Sequence, residues 1–412
     1  MIKLNETEKS WVFYDWANSA YSLTVTSTIL PLYFKMVFQN AGGEASLSTA
    51  YWGYANSIST LILAILAPIL GTIADYRGYK KKFFSIFFLL GVTFTALISI
   101  IPSDYWLMLL CFYVITAIGF SGSNVFYDAF LVDVTTEDRM DKVSTLGFAL
   151  GYIGSTIPFI ISMTLVILAQ FNKISLSLLS AFKISFIITA VWWTIFTLPL
   201  LKKVKQVHGI NIEPNPIKKS FARLGSTFKN IKSHKQVFLF LLAYFFYIDG
   251  VDTIIKMATS YGSDLGIDST SLLVILLATQ FVAFPFALLY GKLSEKYKGK
   301  KMLYVGIIMY TIICIYAYFL DSTLDFWILA MLVATSQGGI QALSRSYFGK
   351  LVPKEKANEF FGFYNIFGKF AAIMGPLLVG IVTQITGSTN NGVFSIILLF
   401  IIGGFILMKV PE

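Results

Sequence analysis

Charge is what this sequence has least of. Asp, Glu, Lys and Arg make up 13% of its 412 residues, where a soluble domain carries about a quarter. It has two cysteines, Cys111 and Cys314, each inside an apolar run, which excludes a disulfide framework. Its two histidines, His208 and His234, fall in one basic connection. So few histidines and cysteines argue against a zinc site or a Cys–His catalytic pair. No G-x-x-x-x-G-K-[ST] loop occurs, which argues against drive by ATP. What fills the chain is apolar: 56% hydrophobic residues, with a mean hydropathy of +0.72. Stretches of about twenty apolar residues recur from end to end, so the class is an all-α polytopic membrane protein. A β-barrel would show short alternating segments instead.

Twelve spans are expected, over 11–37, 49–74, 83–101, 106–131, 143–169, 178–200, 236–261, 270–290, 302–320, 324–348, 358–385 and 391–409. The net charge of +10 is not a nucleic-acid footprint, because the cations collect in alternate connections. Arg77, Lys80, Lys81 and Lys82 follow span 2, Arg139 and Lys142 follow span 4, and a run of lysines follows spans 6, 8 and 10, while the opposite turns hold little beyond Lys173. By the positive-inside rule both termini are cytoplasmic. The long connection divides the chain into a six-span bundle over 1–200, a linker over 201–235 and a second six-span bundle over 236–412. Within the linker, Ile217, Phe221, Leu224, Phe228 and Ile231 recur at spacings of four and three after Asn215-Pro216, which predicts an amphipathic helix lying on the anionic leaflet and touching membrane lipids.

The halves resemble each other. Gly71, Asp75, Gly78, Lys80 and Lys81 follow span 2, and Gly291, Glu295, Gly299, Lys300 and Lys301 follow span 8. The reading is glycine, an acid four later, a second glycine and paired lysines, with one extra residue in the second copy. An internal repeat of six spans is a transporter feature. At these residues the chain resembles the major facilitator superfamily, whose signature between helices 2 and 3 has this form. Tyr76 and Tyr79 depart from it where arginines are usual, and Arg77 is displaced by one. Three further stretches resemble the vacuole effluxer-like, autophagy-related branch: Tyr14–Tyr21 (Tyr-Asp-Trp-Ala-Asn-Ser-Ala-Tyr), Gln337–Ser346, and Phe360–Tyr364 with Gly368, Lys369, Gly375 and Pro376. The resemblance implies the major facilitator fold, with 12 transmembrane helices as two six-helix pseudo-repeats. It implies helices 1, 4, 7 and 10 around a central cavity, and a gating role for Gly71, Asp75, Arg77, Gly78, Lys80 and Glu295. The fungal relatives are linked to amino-acid efflux.

Carboxylates and amides inside a span are costly and mark function by default. Span 1 carries Asp15 and Asn18, span 4 Asn124 and Asp128, span 7 Asp249, Asp252 and Lys256, and span 10 Gln337, Gln341 and Arg345, each set spaced three or four apart on one face. Spans 3, 9 and 12 have almost none, which matches the cavity assignment. Asp252 and Lys256 stand in the favourable order for an intrahelical pair. Asp249 and Asp252 are close enough to discourage double ionisation, which makes Asp249 the leading candidate for proton coupling and Asp15 the second. Lys369, mid-span in helix 11, is expected to pair with a cavity acid. Tyr21 and Tyr14 are expected beside Asn18. Asp128 and Arg345 either pair across the halves as a gate or reach interfacial water. Asn56 and Gln280, in spans 2 and 8, are expected to join helices.

The sequence therefore reads as a secondary active transporter, not an enzyme. It is expected to be monomeric in a bacterial cytoplasmic membrane, without cofactor or metal. It would move a small amino acid-like or amphipathic solute by alternating access, coupled to protons or another ion. A lipid or lysolipid flippase on the same fold and a non-transporting receptor are the alternatives.

Overall fold

The computed structural model describes residues 4–229, 234–264, 267 and 269–410. The described residues form helices and connections, with one isolated bridge between Tyr76 and Ile210. Helix is the expected outcome for apolar segments of this length, because it satisfies every backbone polar group inside the segment. Among the described residues, eleven helices are long and apolar enough to cross a membrane. The twelfth, at the start of the chain, is interrupted: α1 (Glu6–Tyr21) runs through a π-helical segment (Ser22–Thr28) into α2 (Ile29–Asn40). Then follow α3 (Ala45–Ala74), α4 (Tyr79–Ile98), α5 (Trp106–Ala129), the short α6 (Leu131–Val134), α7 (Met140–Gln170) and α8 (Leu178–Lys203). The linker holds α9 (Pro216–Lys229). The second half has α10 (Lys235–Asp264), α11 (Ser269–Tyr297), α12 (Gly299–Tyr318), α13 (Thr323–Leu351) and α14 (Ala357–Thr386), and ends with α15 (Thr389–Ser395) and α16 (Ile397–Met408).

The chain folds as two compact units, one of 1–134 with 150–220, the other of 135–149 with 221–412. Helix α7 thus serves both, its first turns in the second unit and its remainder in the first.

In the first unit, α1 begins five residues before the expected span. Asn5 Oδ1 accepts the Glu8 amide at 2.7 Å and Glu8 returns a carboxylate to the Asn5 amide at 2.9 Å, a reciprocal cap that satisfies two orphan donors. Helices α4 and α5 meet backbone to backbone: a Cβ on Gly119 would lie 2.3 Å from the Gly91 nitrogen. Thr95 and Thr116 are hydrogen-bonded across the same crossing at 2.7 Å, the small-residue packing usual between membrane helices. The linker helix starts at Pro216 as expected. Its Ser220 and Thr227 are buried while Ile217 and Phe221 are exposed, so apolar residues are left on the outer face. Ile231 lies outside the described residues.

The two signature loops correct one expectation. Gly78 caps α4 with φ +85°, and Lys298 caps α12 with φ +65°. Each stands seven residues after the leading glycine, Gly71 or Gly291, and each is followed at the second and third positions by the paired lysines. The loops are in register and no extra residue is present. Only the second glycine has shifted by one, which leaves a lysine at the positive-φ position.

Candidate functional site

In the first unit, Asn18 on α1 donates to Asn124 Oδ1 on α5 at 2.9 Å. One turn earlier Tyr14 donates to Ser123 Oγ at 2.8 Å, and Trp11 donates to the Tyr127 carbonyl at 2.9 Å. Asp15 lies on the same helix, 8% exposed. Tyr21 lies one turn after Asn18 on α1. It is fully buried, stacked on Phe120 at 4.4 Å and near Trp193 at 5.4 Å, so its ring belongs to the aromatic packing of α5 and α8. The second unit joins its first and fourth helices by the same device, Tyr247 to Ser344 at 2.7 Å. Sequence reading missed both hydrogen bonds, because tyrosine and serine carry no periodic signal of their own.

The ionisable cluster of the second unit lies on α10 and α14. Asp249 is fully buried. Its Oδ1 accepts the Gly375 amide at 2.9 Å and, weakly, the Thr253 hydroxyl at 3.4 Å. Its Oδ2 has no hydrogen-bond partner among the described residues. Gly375 has to be glycine, since a Cβ there would come within 2.0 Å of Thr253 Oγ1 and 2.8 Å of Asp249 Oδ1. It immediately precedes Pro376, inside α14, where the missing proline N–H loosens the helix. Asp252, one turn further along α10, lies within electrostatic reach of Lys256 and of Lys369 on α14. Lys256 is exposed, and it and Asp252 form no direct ion pair among the described residues.

Gln337 on α13 is buried and Gln341 half-buried. Arg345, one turn on, is 3% exposed. It donates from Nε to Ser144 Oγ at 2.9 Å and from Nη2 to the Ser144 carbonyl at 3.1 Å, with its guanidinium 4.5 Å from the Phe148 ring. The neighbouring turn binds Asp141, which accepts from Ser346 at 2.7 Å and pairs with Lys350 at 2.7 Å. Glu295 pairs with Lys142 at 2.6 Å. The start of α7 is thus bolted to α13 and α11 by polar contacts. Asp141 and Ser144 were not anticipated, although an acid in the first turn of a span after a basic loop was visible.

The other residues expected to gate belong to the first unit. Lys80 is fully buried, paired with Asp133 at 2.6 Å, and donates to the Ala129 carbonyl at 3.0 Å. Its role there is to fasten α4 to the α5–α6 corner. Asp133 also accepts the Val207 and His208 amides at 2.9 and 2.7 Å. The linker continues along the signature loop: Gln206 Oε1 accepts the Gly78 amide at 2.9 Å, and Arg77 and Asp75 exchange backbone bonds with Ile210 at 3.1 and 2.9 Å. Gly71 lies in the last turn of α3, and Asp75 is buried beyond it. Asp128 lies in the last turn of α5.

The family described as "Vacuole effluxer Atg22 like" matches residues 5–412. The chain belongs to this family. Among Atg22-like proteins it is 63% identical, over all of its length and 96% of the relative's, to a Bacillus subtilis protein described as an uncharacterized MFS-type transporter, YxiO. It is 22% identical to autophagy-related protein 22 of Saccharomyces cerevisiae, over 97% of this chain and 90% of that one. Among solved structures it is similar to a bacterial homologue of the iron transporter ferroportin in the outward-facing state, with 12% identity, a TM-score of 0.72 and 98% of each chain covered. It is also similar to the proton:xylose symporter XylE, with 12% identity, a TM-score of 0.71, and 99% of this chain and 95% of that one covered. At such identity these two establish the fold alone. This Atg22-like chain is an integral membrane protein with the major facilitator fold, 12 transmembrane helices in two six-helix pseudo-repeats, and it is an MFS-type transporter.

Proposed function

We propose that the chain is a secondary active transporter that moves a small amino acid-like or amphipathic solute by alternating access of its two halves, coupled to protons. The observation that carries the coupling is Asp249. A fully buried carboxylate with one oxygen held by a backbone N–H and the other without a partner among the described residues is poorly solvated when charged. Protonation relieves that cost, and deprotonation restores it. Asp252 and Lys256 lie within electrostatic reach of it, and Lys369 within reach of Asp252; they offer charges of both signs to a zwitterionic solute, with Gln341 of the same unit as a neutral partner. Asp15 is the second candidate for the proton. Pro376 and Gly375 on α14 supply the bend that a moving helix needs. Asp75, Arg77, Glu295, Asp128 and Arg345 act in gating, and both termini face the cytoplasm, as the basic connections argue.

The test is a thermal-shift screen of amino acids, dipeptides and nucleosides on the purified protein. A stabilising solute is expected, with its shift lost in Asp252→Asn and in Gln341→Ala. A solute that stabilises both variants as well as the wild type would place binding elsewhere.

A further inference from the structure

The second unit holds a partly open pocket of about 100 Å³ among α10, α11, α12, α13 and the α15–α16 corner. It lies further along α10 than Asp249, reaching from Ile254 to Tyr261. No charged side chain lines it among the described residues. Its walls are aliphatic, with Ile254, Ile275 and Leu329 typical of them. Its polar groups are few. Thr279 donates back to its own helix, to the Leu276 carbonyl at 2.6 Å. Tyr261 is held by the Ala317 carbonyl at 2.7 Å and Asn390 Oδ1 at 2.9 Å. The two carboxamides, Gln280 from α11 and Gln337 from α13, both face the space, and neither hydrogen-bonds to any described residue.

Gln337 is 6% exposed. A buried amide brings two donors and two acceptor sites, and leaving them unused costs about 1–3 kcal/mol. An interior that needed only packing would carry leucine at both places. Gln280 was expected to join helices, as Asn56 does by accepting from Tyr113 at 2.6 Å, but it has no such partner. An apolar chamber with a small number of convergent polar groups is the usual form of a small-molecule site.

We propose that this chamber binds a neutral amphiphile, a compound with an apolar body and one uncharged end that both donates and accepts hydrogen bonds, such as a primary amide. The Gln280 and Gln337 amides hold that end, and the aliphatic walls take the body. Charged amphiphiles are rejected, because no described lining residue compensates an ion for lost water. The site is separate from the Asp249 cluster and stands whether or not that cluster carries protons.

The experiment is photolabelling of the purified protein with decanamide carrying a terminal diazirine, mapped by mass spectrometry. Saturable labelling of α10, α11 and α13 is expected, competed by decanamide but about tenfold less well by decanoate or decane. Gln280→Leu/Gln337→Leu should reduce it about tenfold, while Asp249→Asn leaves it unchanged. The competition series uses the unaltered protein, so it decides the matter even where the double variant does not fold. Labelling that does not saturate, or that decane competes as well as decanamide, is the signature of a lipid tail only and overturns the proposal. So does labelling that decanoate competes equally or that the folded double variant retains.

Discussion

The Gly375 amide donates to Asp249 Oδ1 at 2.9 Å, from the residue immediately before a proline inside α14. That contact joins α10 to α14 and leaves no room for a side chain at residue 375. Gly375→Ala is expected to destabilise the protein by about 1–3 kcal/mol through overpacking. Because the nearest clash is with Thr253 Oγ1, adding Thr253→Ala should recover part of the loss. Thermal unfolding in detergent checks both. A Gly375→Ala protein as stable as the wild type would show that the approach is not this close.

Asn18 and Asn124 form one of the polar links between α1 and α5. Side-chain hydrogen bonds between membrane helices average about 0.6 kcal/mol. A double-mutant cycle of Asn18→Ala and Asn124→Ala should give a coupling of about that size. Additive losses would mean that the two amides do not act on one another.

Lys298 holds φ +65° and ψ 148° where the first half has glycine. That region costs an L-residue about 1–3 kcal/mol. Lys298→Gly should therefore stabilise the protein by about 1 kcal/mol after the entropy of glycine is deducted, read as a rise in Tm. Gly78→Lys, the reverse exchange in the first loop, should lower it. Equal and opposite signs from those expected would contradict the register of the two loops.

Lys80 and Asp133 are both fully buried and paired at 2.6 Å. Removing one member of such a pair leaves an uncompensated charge, at about 3–5 kcal/mol. Lys80→Met should cost that much stability. Lys82→Met, on the same helix one residue past Lys81, should cost little, and similar losses at both sites would argue against the pairing.

Much of the fold was legible because a bilayer leaves a chain few choices. All twelve expected spans are helices, and most boundaries moved by only a few residues. The exceptions have local causes. The early start of α1 was written in Asn5 and Glu8, a capping signal hidden ahead of the apolar run. The π-helical segment over Ser22–Thr28 has no hydropathy signature at all. The repeat was read correctly in its acids and lysines and misread at its second glycine, since a glycine match looked stronger than the constant spacing around it. Residue type picked out Asn18, Asn124, Asp252 and Lys369 one by one as polar positions inside spans; that Asn18 bonds Asn124 and that Lys369 lies within reach of Asp252 was not read. It failed for the Lys80–Asp133 pair, because which way a buried side chain turns depends on neighbours far away in the chain.

The most direct test of the account is solute-driven proton movement in proteoliposomes loaded with a pH-sensitive dye, using a solute found by the thermal-shift screen. Wild-type protein should acidify or alkalinise the lumen when that solute is added, and Asp249→Asn should still bind the solute but move no protons with it. Proton movement unchanged in Asp249→Asn, or solute flux in the wild type with no proton movement, would contradict the account.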